Sequence, residues 1–138
     1  MLTRKTTSIA FIGILITAWI IVFVTHVEAE TTDEQKQALI GEWKGVWPGP
    51  SGDTLTLIIH EIDTAKAKAR CTTISSVSGE KTHLADFIPG PNPKLELKPE
   101  GNDLKFILKN KVLQGTFKGM RGGTYISNTI SMEKKQQK

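Results

Sequence analysis

The sequence predicts an all-β fold: an antiparallel up-and-down barrel of seven or eight strands, with a β-sandwich as the alternative. Three observations carry this expectation. Short alternating apolar and polar runs recur from Gly41 to Met132, clusters of Gly, Pro, Asn and Asp separate them, and no helical periodicity occurs after residue 40.

A chain of 138 residues accommodates one domain, and its first part reads as an export segment. Arg4 and Lys5 precede Ile9 to Thr25, an uncharged, largely apolar run of seventeen residues, and Val27-Glu28-Ala29 follows. A basic start, an apolar middle and a small-residue exit describe a signal peptide over residues 1–29, cut after Ala29. The run falls just short of the ~20 residues of a membrane span, so an uncleaved signal anchor is the alternative. Contact with a membrane is expected only in that second case. Either way the folded part faces out, secreted or in the cell envelope. The single cysteine, Cys71, cannot staple the chain to itself and reads as a small buried apolar residue. Arg4, Lys5 and Glu28 fall in the leader, which leaves sixteen basic residues against thirteen acidic ones. A surplus so small and so dispersed does not argue for nucleic acid.

Residues 30–40 read as a short helical lead-in, with Thr32 as cap, Gln35 three places on, and Ala38, Leu39 and Ile40 tucked against the domain. The barrel is expected over residues 41–133, with a charged tail at 134–138. In Gly41 to Trp47, the residues Gly41, Trp43, Gly45 and Trp47 share one face, and Glu42, Lys44 and Val46 the other. Pro48 to Asp53 is a loop of turn formers. Thr54 to Ile62 is a β-branched strand with Leu55, Leu57 and Ile59 on one face. After a turn at Asp63-Thr64, the residues Ala65, Ala67, Ala69 and Cys71 alternate with Lys66, Lys68 and Arg70, one face dry and one wet. Residues 75–93 are the least regular, with a short strand expected around His83 to Ile88. Lys94 to Lys98 alternates around Leu95 and Leu97, and Pro99 to Asp103 turns the chain. Leu104, Phe106 and Leu108 then share a face, and Asn110-Lys111 closes a hairpin into Val112 to Lys118. Gly119 to Gly123 reads as a glycine-rich turn before a last strand from Tyr125 to Met132. One internal echo stands out: Leu39-Ile40-Gly41-Glu42-Trp43-Lys44-Gly45 and Leu113-Gln114-Gly115-Thr116-Phe117-Lys118-Gly119 share Leu-x-Gly-x-aromatic-Lys-Gly. Glycines beside an inward aromatic let its ring lie close to backbone or let a strand bend.

Gly41-x-Trp43 on a first strand after a helical lead-in resembles the calycin group: lipocalins, fatty-acid-binding proteins and avidins. The resemblance covers the opening motif and the strand count, and it implies an up-and-down barrel closing around a small apolar ligand. Lipocalins also place an arginine from the last strand over this tryptophan; here that strand carries none, and Arg121 precedes it. The wider Gly-x-Trp-x-Gly-x-Trp opening is similar to small exported bacterial domains, from which no catalytic role transfers.

The remaining chemistry is sparse. His60 and His83 lack the spacing of a metal site, no Gly-x-Ser-x-Gly occurs, and neither an enzyme nor a cofactor is expected. Gly119 to Gly123 could present backbone N–H groups to an anion, but a hairpin turn explains it as well. Trp43, Trp47, Phe106 and Phe117 are the candidate ligand-binding residues. They face the small residues Gly45, Gly115, Ala65, Ala67 and Ala69 across an interior just wide enough to be filled or to hold one small ligand. Alternating large and small side chains fit the taper of a filled barrel as readily as they wall an apolar pocket. Lys66, Lys68 and Arg70 are a candidate surface for anionic envelope polymer or a partner protein, or simply a solvated edge. The expected function is binding of a small apolar or amphipathic molecule inside the barrel. The alternative is a non-catalytic module that contacts a partner through its outer face. N-terminal sequencing of the exported protein should find Glu30 first; a chain that retains Met1 to Ala29 would make this segment an anchor.

Overall fold

A computed structural model describes residues 32–138, so the export segment expected at 1–29 lies outside the described residues. One helix, α1 (Thr32–Leu39), precedes eight strands: β1 (Gly41–Val46), β2 (Thr54–Asp63), β3 (Lys68–Ser75), β4 (Gly79–Ile88), β5 (Lys94–Leu97), β6 (Asp103–Lys109), β7 (Val112–Arg121) and β8 (Thr124–Lys134). Each strand pairs antiparallel with the next, and β1 pairs with β8, so the sheet closes into an up-and-down barrel. The alternation drives this. Leu55, Leu57 and Ile59 on β2, Leu95 and Leu97 on β5, and Leu104 and Phe106 on β6 are all buried, and their neighbours along the chain face outward. Among the described residues, no helix is long and apolar enough to cross a membrane.

Helix α1 is eight residues, about two turns, and it crosses one end of the barrel. Its last residue, Leu39, is fully buried in the core. The Leu39 carbonyl accepts a hydrogen bond from Trp43 Nε1 at 2.8 Å. Near its start, Gln35 is buried and its side-chain oxygen accepts from the Gly90 backbone N–H in the β4–β5 loop, at 3.1 Å. Anchored at β1 on one side and at the β4–β5 loop on the other, the helix plugs this end.

Closure of β1 on β8 has a short register: Trp43 opposite Lys134, Lys44 opposite Glu133 and Gly45 opposite Met132. Lys134 Nζ lies over the Trp43 ring, 5.7 Å from its centroid. The same ammonium donates to the carbonyls of Gln37 (3.3 Å) and Ala38 (3.1 Å) at the C-terminal end of α1, where a cation meets the negative pole of the helix. Partial burial there lowers the Lys134 pKa from the usual lysine value. The cation stacked on the tryptophan is thus a lysine on the last strand, two residues past the expected end of that strand.

Three sequence expectations change, and one strand gains a detail. Ala65, Lys66 and Ala67 belong to the β2–β3 turn, not to a strand, and both alanines are exposed. Ala67 has a φ of 51°, which no strand accommodates, and only Ala69 and Cys71 of that alternating set are interior. Strand β2 continues past His60 through a bulge between Ile59 and Glu61, so that Ile59 and Ile62 both point inward. The irregular region at 75–93 contains a full ten-residue strand, β4, paired with β3 along its length from Lys68–Asp86 to Ser75–Gly79. Finally, β7 runs through Gly119 to Arg121, leaving Gly122-Gly123, both at positive φ, as a two-residue hairpin.

Cys71 is fully buried, and desolvation pushes its thiol up to about 11, so it stays a protonated, unreactive core residue. The two glycines of the echo that flank β8 have matching roles. A Cβ on Gly45 would sit 2.6 Å from the Ser131 carbonyl oxygen, and one on Gly115 2.8 Å from both Ile130 Cγ2 and Phe106 Cε1. Both strands therefore approach β8 closely enough to exclude any side chain. Gly45→Ala should destabilise the fold by about 1–3 kcal/mol, as overpacking of a tight seam does. Lys134→Met, which keeps the aliphatic packing and removes the charge, should cost about 0.5–1 kcal/mol. Chemical denaturation measures both; a neutral Gly45→Ala would show that the seam is not tight.

Candidate functional site

The barrel has two unlike ends. The turns at β2–β3, β4–β5 and β6–β7 lie at the end covered by α1, together with the chain after Lys134. A broad cleft there is lined by Gln37, Ile40, Pro93, Leu108 and Lys135 to Lys138. It follows the surface between the helix and the C-terminal residues, and Trp43, although it borders the cleft, is only 1% exposed. At the other end, among the described residues, no α-helix covers the barrel, and the β1–β2, β3–β4, β5–β6 (with a 3-10 turn at Pro99–Gly101) and β7–β8 connections ring a mouth.

That mouth opens on a cavity of about 280 Å³. Its apolar lining comes from Trp47, Leu55, Leu104, Phe117 and Ile126, and polar side chains enter from β3 and β4 (Thr73, His83) and from β8 (Asn128). The strands place these groups by alternation. On β8, Ile126 and Asn128 precede the buried Ile130 and Met132 on the inward face; on β4, Lys81 and His83 precede the buried Ala85 and Phe87. Below the cavity the interior is solid, since Leu57, Cys71, Ala85, Phe106 and Ile130 are at most 1% exposed. One half of the barrel is filled and the other is hollow.

Small devices shape the rim. Trp47 follows β1, and its backbone N–H donates to the Asp53 carbonyl at 2.8 Å, which closes the β1–β2 loop. Asn102 reaches across from the β5–β6 connection, and its Oδ1 accepts from the Met120 N–H at 3.1 Å. Gly119 lies beneath it, and a Cβ there would push the Asn102 side chain out of this position. Two ion pairs brace the rim: Lys81 Nζ to Glu100 at 2.7 Å and Arg121 to Asp53 at 3.6 Å. The Lys81 ammonium holds the Glu100 carboxyl below the usual carboxylate range. Val46, Val77, Met120 and Tyr125 lie around the mouth with more than half of their surface exposed.

His83 is the titratable group of the cavity wall. Its Nε2 is 2.8 Å from Thr73 Oγ1, and burial, with a smaller contribution from the charge on Lys81, lowers its pKa from the usual histidine value. His60 bonds Thr72 Oγ1 at 2.8 Å on the outer face, so the two histidines lie on opposite sides of the sheet and cannot meet at one metal. Among the described residues, no group of three or more His, Cys, Asp or Glu is arranged to hold a metal ion.

Of the four aromatics selected from the sequence, Trp47 and Phe117 line the cavity. Trp43 and Phe106 lie in the filled half, 1% and 0% exposed. Lys66, Lys68 and Arg70 do not form one strand face: Lys66 is in the turn, Lys68 pairs with Asp86, and Arg70 approaches Glu61 at 3.5 Å. The polar lining was missed by the sequence reading. The signal for it was the replacement of apolar residues by Thr73, His83 and Asn128 at inward positions of otherwise apolar strands. Neither family models, curated proteins nor solved structures give a significant match to this chain.

The folded state binds the His83 proton less tightly than the unfolded chain does. The unfolded chain therefore takes up the extra proton, and stability falls as pH drops through the window below about 6.5. Denaturation midpoints should decline from about pH 7 to pH 5 in the wild type and decline less in His83→Gln. Equal slopes in the two proteins would remove His83 from this account.

Proposed function

We propose that this chain is an exported, calycin-like barrel that binds one small amphipathic molecule at its open end, without catalysis. The observation that carries this reading is the cavity, open to solvent, in which Trp47, Leu104 and Phe117 supply apolar surface, Thr73 and His83 supply polar groups from β3 and β4, and Asn128 supplies one from β8 beside Phe117. Its volume of about 280 Å³ sits near the lower bound of small-molecule sites, roughly 300–1,000 Å³, so it suits one small ligand. Its lining is more polar than that of most such sites, with charged residues at the rim and apolar ones below them, which suits an amphipathic ligand better than a purely apolar one.

Two further features support the calycin likeness. Trp43 follows a short helix at the closed end of the barrel, and a cation from the last strand covers it, Lys134 standing where lipocalins carry arginine. The export reading rests on the leader-like residues 1–29. Binding without chemistry is favoured by the carboxylates at the mouth, Asp53 and Glu100, each of which is engaged by a cation. The outer-face alternative draws less support, because Lys68 and Arg70 have their charge matched by Asp86 and Glu61.

N-phenyl-1-naphthylamine, a neutral dye that brightens in apolar surroundings, should bind and quench tryptophan emission. Trp47→Ala and Phe117→Ala should each weaken binding about 5- to 30-fold, the effect of removing one well-packed aromatic wall. Phe106→Leu should leave affinity nearly unchanged. A dye signal indifferent to Trp47 and Phe117 would rule out the cavity as the site.

A further inference from the structure

Resting on that reading, the charge arrangement at the mouth narrows the ligand class. We propose that the cavity selects an uncharged amphiphile carrying a hydrogen-bonding group, such as an alcohol or a primary amide, over the carboxylate or ammonium of the same carbon skeleton. Both cations that line the cavity already have a partner: Lys81 holds Glu100 at 2.7 Å, and Arg121 holds Asp53 at 3.6 Å, with Ser51 Oγ donating to the same carboxylate at 2.9 Å. An entering anion gains a cation only by displacing Glu100 or Asp53, which leaves that carboxylate unpaired beside it. An entering ammonium faces the converse loss. Either ion also sheds its water against Trp47, Phe117, Leu55 and Leu104, and burial of an uncompensated charge is far costlier than burial of a neutral polar group.

What remains to meet a ligand is neutral. Asn128 lines the cavity from the inward face of β8, and no other described residue hydrogen-bonds its side chain, so its amide offers both donors and an acceptor. Across the mouth Thr73 Oγ1 lies 2.8 Å from His83 Nε2 and 3.5 Å from the Lys81 carbonyl. The Thr73 bond occupies Nε2 and leaves His83 Nδ1 to the ligand, as acceptor or donor according to the tautomer. A hydroxyl or amide has donors and acceptors for this set. A carboxylate has no donor, and an ammonium has no acceptor.

Displacement of N-phenyl-1-naphthylamine from the full-length protein at about pH 7.5, where carboxylates and amines are both ionised, tests the assignment. Only the dye signal lost in Trp47→Ala is counted, which excludes dye held elsewhere on the chain. Octan-1-ol and octanamide should displace it at concentrations at least about tenfold below those of octanoate and octylammonium. Asn128→Leu, similar in volume and confirmed folded by its circular dichroism, should shrink that advantage about three- to tenfold. Octanoate or octylammonium matching the neutral compounds would overturn the assignment and leave cavity binding intact. So would displacement by none of the four in the presence of a Trp47-dependent dye signal. Absence of any such dye signal would instead overturn the cavity-binding reading itself.

Discussion

The joint between β1 and β8 rests on few backbone hydrogen bonds and on one indole. Three paired residues, each bond contributing about 1 kcal/mol net, are a weak closure for an eight-stranded sheet. Full burial of a tryptophan, about 150–250 Å² of surface, contributes at most roughly 4–6 kcal/mol. Trp43 therefore outweighs the ladder that it sits in. Its indole N–H is satisfied by the Leu39 carbonyl, so the ring is buried without leaving an orphaned donor. Lys134 covers the exposed side and ties β8 to the end of α1. Helix, first strand and last strand are thus fastened through a single side chain, and the remaining strands follow as a chain of hairpins.

The filled half and the hollow half follow from side-chain size on facing strands. Gly45 and Gly115 bring β1 and β7 close against β8, so that Ile130 and Phe106 occupy the centre and close the floor. Towards the mouth Gly119 no longer faces a large side chain but Asn102, whose amide bonds the adjacent backbone at the rim. The repeated Leu-x-Gly-x-aromatic-Lys-Gly motif is accordingly not a duplicated site. Its first copy puts Trp43 in the sealed end and its second puts Phe117 on the cavity wall.

Strand content and barrel class were legible because alternation and turn chemistry agree over most of the chain: Leu55, Leu57 and Ile59 inward, and Asn110-Lys111 in a tight hairpin with both residues at positive φ. Where the two signals disagreed, the reading failed. The alternation from Ala65 to Arg70 looked like the best strand in the sequence, yet Ala67 takes a left-handed conformation and alanine packs too little surface to hold an edge there. The bulge at His60 shifts the phase by one residue, so the alternation read from Leu55 to Ile59 does not extend to Ile62, which also faces inward. Lys134 was hidden because a lysine near a chain end reads as solvated until its neighbour is known. Thr73, His83 and Asn128 each interrupt an apolar strand face in the sequence, but only closure of the barrel, which sets β8 opposite β3 and β4, brings them to one cavity.

Both described chain ends leave from the sealed end of the barrel: α1 enters there, and β8 runs out there into the final residues. The mouth is thus the pole opposite the first described residue, Thr32, and the end of β8, Lys134. Anything joined to the chain at Thr32 or at Lys138, whether a tether, a fused domain or a solid support, holds the barrel by its base with the opening turned outward. A molecule handed in or out of the cavity never has to pass the attachment, and the rim of Val46, Val77, Met120 and Tyr125 is the part of the surface that such a tethered barrel would present first.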